Sequence, residues 1–139
     1  MLNFTIPGKP VAKQSVKFTR SGHKYTPEEM VSYANWAKHC FREAHPEHLP
    51  SSILDKALMV VIIVFFEIPK SFSKSKRQKA LDGIIRPTVK PDCDNISKNI
   101  LDALNGIAYP DDKQIVSLSV AKLYGINPYV AVHISEISD

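Results

Sequence analysis

Four aspartates form two closely spaced pairs in a basic chain of 139 residues, whose formal net charge is +4. Asp92 and Asp94 come first, and Asp111 and Asp112 follow after a segment that a short helix would fill. Carboxylates this close repel one another unless a cation lies between them. Ligand sets made only of carboxylates select hard cations, Mg²⁺ or Mn²⁺, which keep water molecules and bind phosphate oxygens. The spacing therefore indicates a divalent-metal site that acts on a phosphate ester.

Other kinds of metal site fit the sequence less well. An EF-hand would need an acidic or amide side chain in place of Ile96 and glycine in place of Ser97. Four possible zinc ligands surround a predicted helix end: His39, Cys40, His45 and His48. Their spacing matches no recognised zinc motif, so we do not expect a zinc site there.

A single lysine, Lys98, lies between the two aspartate pairs. Helical periodicity predicts a helix over residues 95–105, with Asp94 as its N-cap and Gly106 just beyond its end. Its polar face would carry Asp94, Lys98, Asp102 and Asn105, and its apolar face Ile96, Ile100, Ala103, Leu104 and Ile107. Lys98 could neutralise charge that develops on a phosphate. It could equally form a salt bridge to an aspartate one turn away, which contributes about a few tenths of a kcal/mol. The residue types leave both roles open.

Positive charge is concentrated in two runs, one in the first 25 residues and one over residues 70–90. The candidate nucleic-acid-binding residues in these runs are Lys13, Lys17, Arg20, Lys74, Lys76 and Arg77. Cationic side chains beside aromatic ones hold phosphates and stack on bases. A solvated surface explains either run alone equally well. Two such runs beside an acidic cluster favour nucleic acid as the partner and indicate a metal-dependent phosphodiesterase.

Composition restricts the class of protein. Hydrophobic residues make up 44% of the chain and charged residues 23%, which is typical of a globular domain. The longest apolar run, residues 57–66, suits a buried strand rather than a transmembrane helix, and no secretion signal is visible. Cys40 and Cys93 form neither a CxxC pair nor a disulfide framework. We therefore expect a cytoplasmic protein with no membrane association.

The elements predict an α/β (α+β) fold, in which helices pack on one small mixed sheet within a single domain, residues 1–139. Strands are expected at the N-terminus and over residues 57–67, 114–124 and 128–135. A hairpin turning at Ser21-Gly22 is expected before a helix that Thr26 caps and that runs from Pro27 to about residue 44. A short basic helix is expected over Ser71–Leu81.

The segment KPDCDN with Lys98, followed by LDALNGIAYPDDKQIV, resembles the signature of the RusA family of Holliday junction resolvases. These are phage and prophage endodeoxyribonucleases. The segments PKSFSKSKRQKAL and IPGKPVAKQSVKFTRSGHKYTP are also similar to family segments, so the resemblance covers most of the chain. It implies that Asp92, Asp94 and Asp112 bind Mg²⁺, which Mn²⁺ can replace, with Asp111 assisting. It also implies that Lys98 is the catalytic lysine.

The resemblance further implies a homodimer that nicks two strands of a four-way DNA junction symmetrically, since a two-fold dimer matches a two-fold junction. Metal-activated water would attack phosphorus and leave 5′-phosphate and 3′-hydroxyl ends. Two alternatives stay open: a less selective Mg²⁺-dependent endonuclease of branched DNA, and a DNA-binding accessory protein without catalysis. Cleavage assays with and without Mg²⁺ distinguish them.

Overall fold

The computed structural model describes residues 1–11 and 27–138. Several sequence predictions fall outside these ranges: the turn at Ser21-Gly22, the helix cap Thr26, and the basic residues Lys13, Lys17 and Arg20.

A mixed β-sheet forms the centre of the described chain. Its strands are β1 (Leu2–Pro7), β2 (Leu58–Glu67), β3 (Ile115–Gly125) and β4 (Tyr129–Glu136), in the order β1-β4-β2-β3. β3 runs parallel to β2, whereas β4 is antiparallel to both β1 and β2. β2 is the long Val- and Ile-rich run, and such residues favour an interior strand because they pack well on a pleated surface.

Three helices accompany the sheet in the described ranges: α1 (Pro27–Ala44), α2 (Lys74–Leu81) and α3 (Cys93–Leu104). Short 3₁₀ turns lie at Pro50–Ile53 and Asp112–Gln114. The parallel pair of β2 and β3 needs a long crossover, and the chain between them contains α2 and α3. This crossover places α3 before the turn that contains Asp111 and Asp112, which we call the acidic turn and which leads into β3.

The helices cover one face of the sheet. Phe4, Ile62 and Val132 stand side by side in the register of β1, β4 and β2, and all are buried. They belong to the same apolar cluster as Phe41 of α1 and Ile100 of α3. On the alternate face, side chains of the same strands are only half-buried or exposed. The core therefore lies between the sheet and α1 with α3.

The predicted fold class is confirmed: the described chain is a single α+β domain with helices on a mixed sheet. The last three predicted strands agree with β2, β3 and β4 to within one residue at each end. α2 is shorter than predicted, because the hydroxyl of Ser73 accepts a hydrogen bond from the Lys76 amide at 3.2 Å and begins the helix there. None of the helices in the described ranges is both long enough and apolar enough to cross a bilayer.

Candidate active site

The first aspartate pair lies at the start of α3. Asp92, not Asp94, is the N-cap, with extended backbone angles of φ −72° and ψ 151°. The predicted cap is therefore wrong by two residues, because the Asp92 carbonyl already accepts the first helical hydrogen bond, from the Ile96 amide at 3.0 Å. The Asp92 carboxylate makes no capping hydrogen bond. Helix initiation thus leaves this carboxylate available for another partner.

Asp94 lies in the first turn of α3, two residues after the N-cap Asp92. Both side chains are exposed. The N-terminal end of a helix carries a partial positive charge, which stabilises carboxylates placed there. The start of α3 therefore presents two accessible carboxylates without the need for a buried counter-charge.

Lys98 follows Asp94 by one helical turn and is exposed. Both roles considered for Lys98, the salt bridge and the catalytic one, stay predictions.

The second aspartate pair lies in a tight 3₁₀ turn, where Asp111 is the N-cap. The Oδ1 atom of Asp111 accepts a hydrogen bond from the Lys113 amide at 3.0 Å. In return, the Gln114 side-chain oxygen accepts one from the Asp111 amide at 3.2 Å. The Lys113 amide is the main reason why the pKa of Asp111 is lowered. Asp111 therefore serves the local fold and is held in its ionised form.

Asp112 has a different environment. Its amide donates a 3.0 Å hydrogen bond to the Oδ1 atom of Asn105, at the end of α3, and its side chain is exposed. Partial desolvation raises the pKa of Asp112, and the neighbouring carboxyl groups of Asp111 and Asp102 raise it further. The local structure therefore keeps the Asp112 carboxylate close to other negative charges. A bound cation would neutralise them.

Tyr109 shows that Asp102 belongs to the same neighbourhood. Its hydroxyl is buried and donates a 2.7 Å hydrogen bond to the Leu101 carbonyl. Burial raises the pKa of Tyr109, and the charges of Asp112 and Asp102 add to this effect. The sequence prediction assigned Asp102 only to the polar face of the helix. The sequence signal that could have identified Asp102 was its position one helical turn before Asn105, the residue that anchors the acidic turn.

The two aspartate pairs lie at opposite ends of α3. Asp94 is in the first turn and Asn105, which anchors Asp112, is the C-cap. At 1.5 Å per residue these positions are about 16 Å apart along the helix axis. Among residues 1–11 and 27–138, no group of three or more His, Cys, Asp or Glu side chains is arranged to hold a metal ion. Within a single subunit, the described residues therefore place Asp111 and Asp112 near Asp102 but not near Asp92 and Asp94.

The basic residues of α2 lie close to β3. Lys74, Lys76 and Arg77 are exposed. The Lys76 ammonium lies 4.2 Å from the ring centroid of Phe72, and this ring packs edge-on against Tyr124 of β3, with centroids 5.6 Å apart. The aromatic contact fixes α2 on the sheet and leaves its cationic side chains at the surface.

The possible zinc ligands of α1 and the following loop have other contacts. The Nε2 atom of His45 lies 2.9 Å from the Asn3 carbonyl, and that of His48 lies 2.7 Å from the Ala108 carbonyl. The ring of His39 stacks on Trp36. Burial raises the pKa of the Cys40 thiol, which disfavours the thiolate that a metal would bind.

The family model described as endodeoxyribonuclease RusA matches residues 7–135. The chain belongs to the RusA family. An uncharacterized Bacillus subtilis (strain 168) protein named YqaN is 36% identical to it over 140 residues, which cover 99% of this chain and 97% of that protein. The RusA match includes α2, Lys98 and both aspartate pairs, and its description assigns the chain to a family of endodeoxyribonucleases.

Proposed function

We propose that this RusA-family protein is a divalent-metal-dependent endodeoxyribonuclease that resolves four-way DNA junctions by paired, symmetric nicks during recombination and repair. The family match supports nuclease activity on DNA. The exposed cations of α2 support binding to the DNA backbone, because phosphate contacts supply most of the sequence-independent affinity for DNA.

The observation that carries the proposal is the division of roles between Asp111 and Asp112. Asp111 caps the turn, whereas Asp112 is exposed beside two like charges and its pKa is raised. A carboxylate held in this way gains most from a bound cation. All the candidate donors are carboxylate oxygens, which suit Mg²⁺, with Mn²⁺ as a substitute.

The placement of the donors favours a site shared between two copies of the chain. Asp94 lies about 16 Å along α3 from Asn105, which anchors Asp112, and Asp92 lies farther, so a single ion within one subunit would have to bridge the length of the helix. A homodimer in which the start of α3 of one subunit meets the acidic turn of the other would bring three carboxylates together. It would also create two equivalent centres, as a two-fold symmetric junction requires.

The proposed chemistry assigns a task to each group. Bound Mg²⁺ would supply an activated water and neutralise the phosphate that it attacks. Asp92, Asp94 and Asp112 would hold the ion, and Lys98, exposed on the same helix, would donate to the phosphate oxygen that gains charge. The cations of α2 would hold the neighbouring backbone. The products would carry 5′-phosphate and 3′-hydroxyl ends.

The test is cleavage of synthetic four-way, three-way and linear DNA of equal length, each labelled on one strand at a time, in Mg²⁺ and in EDTA. We expect paired nicks placed symmetrically on the four-way junction, only in Mg²⁺. Equal cleavage of all three DNAs would favour the less selective endonuclease instead. Binding without cleavage would favour the accessory protein.

A further inference from the structure

The side chain of Gln114 joins the acidic turn to a loop far away in the sequence. Its Nε2 atom donates to the backbone carbonyls of Ile53 at 2.8 Å and Lys56 at 3.1 Å. Its Oε1 atom accepts from the Asp111 amide at 3.2 Å. One amide group therefore uses both of its donor hydrogens and its acceptor, which is close to the full hydrogen-bonding capacity of a glutamine.

The loop that accepts these bonds also holds the turn from its other side. We call residues 45–56, which connect α1 to β2, the support loop. From this loop, the Nε2 atom of His48 reaches the Ala108 carbonyl at 2.7 Å, and the His48 ring packs edge-on against Phe41 of the core. The support loop thus holds the segment that carries Asp111 and Asp112 at both of its ends.

The turn needs such attachment because its own charges oppose it. Asp111 and Asp112 are adjacent carboxyl groups in one tight turn. Like charges at this spacing favour a more open turn. The capping box closes the turn on itself, and the two bonds from Gln114 to Ile53 and Lys56 attach it to the support loop, in addition to the bond from the Asp112 amide to Asn105.

We propose that Gln114 is a positioning residue for the nuclease reaction: by bridging the acidic turn and the support loop, it holds Asp112 where it can act. This role rests on the proposed function. A group displaced by about 1 Å from its productive geometry can lower a catalytic rate by 10²-fold, while substrate binding elsewhere is unaffected. Loss of the bridge is therefore expected to reduce cleavage without reducing junction affinity.

The test compares Gln114→Glu and Gln114→Met with the wild-type protein and with the control Ser52→Ala. Glutamate keeps the oxygen that accepts from the Asp111 amide but lacks both N–H donors. Methionine has a side chain of similar length but can form none of the three hydrogen bonds. Ser52 lies in the support loop, where its hydroxyl donates to the Leu49 carbonyl of the same loop at 2.7 Å. Amide hydrogen exchange, measured without metal or DNA, reports how readily the acidic turn opens. Single-turnover cleavage in Mg²⁺ and junction binding in Ca²⁺ report function.

In both Gln114 variants we expect amides of residues 105–114 to exchange about tenfold faster, while amides of the central strands are unchanged. Cleavage should slow by about tenfold or more at unchanged junction affinity, and Ser52→Ala should match the wild type in both measurements. If Gln114→Met does not fold, Gln114→Glu decides the question.

Unchanged exchange in the turn would contradict the bridge. Faster exchange with a normal cleavage rate would contradict the positioning role. A wild-type protein that cleaves no DNA in Mg²⁺ would contradict the proposed function and with it the positioning role. The exchange comparison would then show only whether Gln114 holds the turn.

Discussion

The side-chain Nδ2 atom of Asn99 donates a 2.7 Å hydrogen bond to the backbone carbonyl of Val11. Asn99 is buried on α3, next to Lys98, and Val11 is the last described residue before Lys13 of the first basic run. This contact ties the chain that enters the basic run to the helix that carries the candidate catalytic lysine.

Asn99→Ala should lower the free energy of unfolding by about 1–3 kcal/mol, because it removes the partner of the Val11 carbonyl. Urea denaturation measures the change. Asn35→Ala, at an exposed position on α1, is the matched control and should stay within about 0.5 kcal/mol of the wild type. Equal effects of the two substitutions would mean that the hydrogen bond contributes nothing specific.

The two aspartates of the acidic turn should respond differently to loss of charge. Asparagine is also a good N-cap, so Asp111→Asn should keep the turn and most of the cleavage rate. Asp112→Asn should abolish cleavage and leave junction binding intact or tighter, since it removes a negative charge near the phosphates. Parallel cleavage and binding assays check this, and normal cleavage by Asp112→Asn would exclude Asp112 as a metal ligand.

Asp112→Asn should also stabilise the fold slightly. The pKa of Asp112 is raised in the folded state, so ionisation of Asp112 costs stability as the pH rises through that pKa. Asparagine removes this cost at pH 7, and the gain should be at most about 0.5 kcal/mol because the side chain is exposed. Thermal unfolding at pH 7 tests the direction. A lower melting temperature would show that the ionised carboxylate stabilises the turn.

Mixing two inactive variants tests whether the metal site forms between subunits. In a mixed dimer of Asp92→Asn and Asp112→Asn subunits, one centre would carry both substitutions and the other would carry neither. Co-refolded equal amounts should therefore recover about a quarter of the wild-type active centres, because half of the dimers are mixed. Cleavage of a labelled junction by the mixture, compared with each variant alone, gives the result. No recovery would place all the ligands within one subunit.

Lys98→Ala should lower the single-turnover cleavage rate by about 10² or more, which is typical of the loss of a donor to developing charge. Stability should change by less than about 1 kcal/mol, because Lys98 is exposed and exposed ion pairs contribute little to stability. Lys56→Ala, an exposed lysine of the support loop, is the control. A rate for Lys98→Ala within a few-fold of the wild type would remove it from the chemistry.

Replacing Lys76 and Arg77 together with alanine should weaken binding to DNA of every shape. The logarithmic salt dependence should flatten by up to about one unit for each lost phosphate contact. Titrations at several salt concentrations measure the slope, with Gln78→Ala on the same helix as the control. An unchanged slope would mean that these side chains do not face the DNA.

Periodic patterns in the sequence determined the elements and the kind of chemistry. Ile96, Ile100 and Leu104 were predicted to share the buried face of a helix, and all three are buried in α3. The same reasoning identified β2, because an unbroken run of β-branched residues suits a strand covered by helices. The aspartate pairs and Lys98 indicated phosphate chemistry by residue type alone. Each of these conclusions depends on neighbours within one or two turns of the chain.

Only the tertiary structure decided which carboxylates cap a helix or a turn and which remain exposed. The helix began at Cys93 rather than after Asp94, since hydrogen-bond geometry and not residue type chooses between two good caps. Asp111 was used as a cap, and Asp112 was anchored to Asn105 at the far end of α3. The bonds from Gln114 to Ile53 and Lys56 join residues 61 and 58 positions apart. Such contacts form only when the crossover packs α3 and the acidic turn beside the support loop. Local sequence patterns do not predict contacts between residues so far apart in the chain.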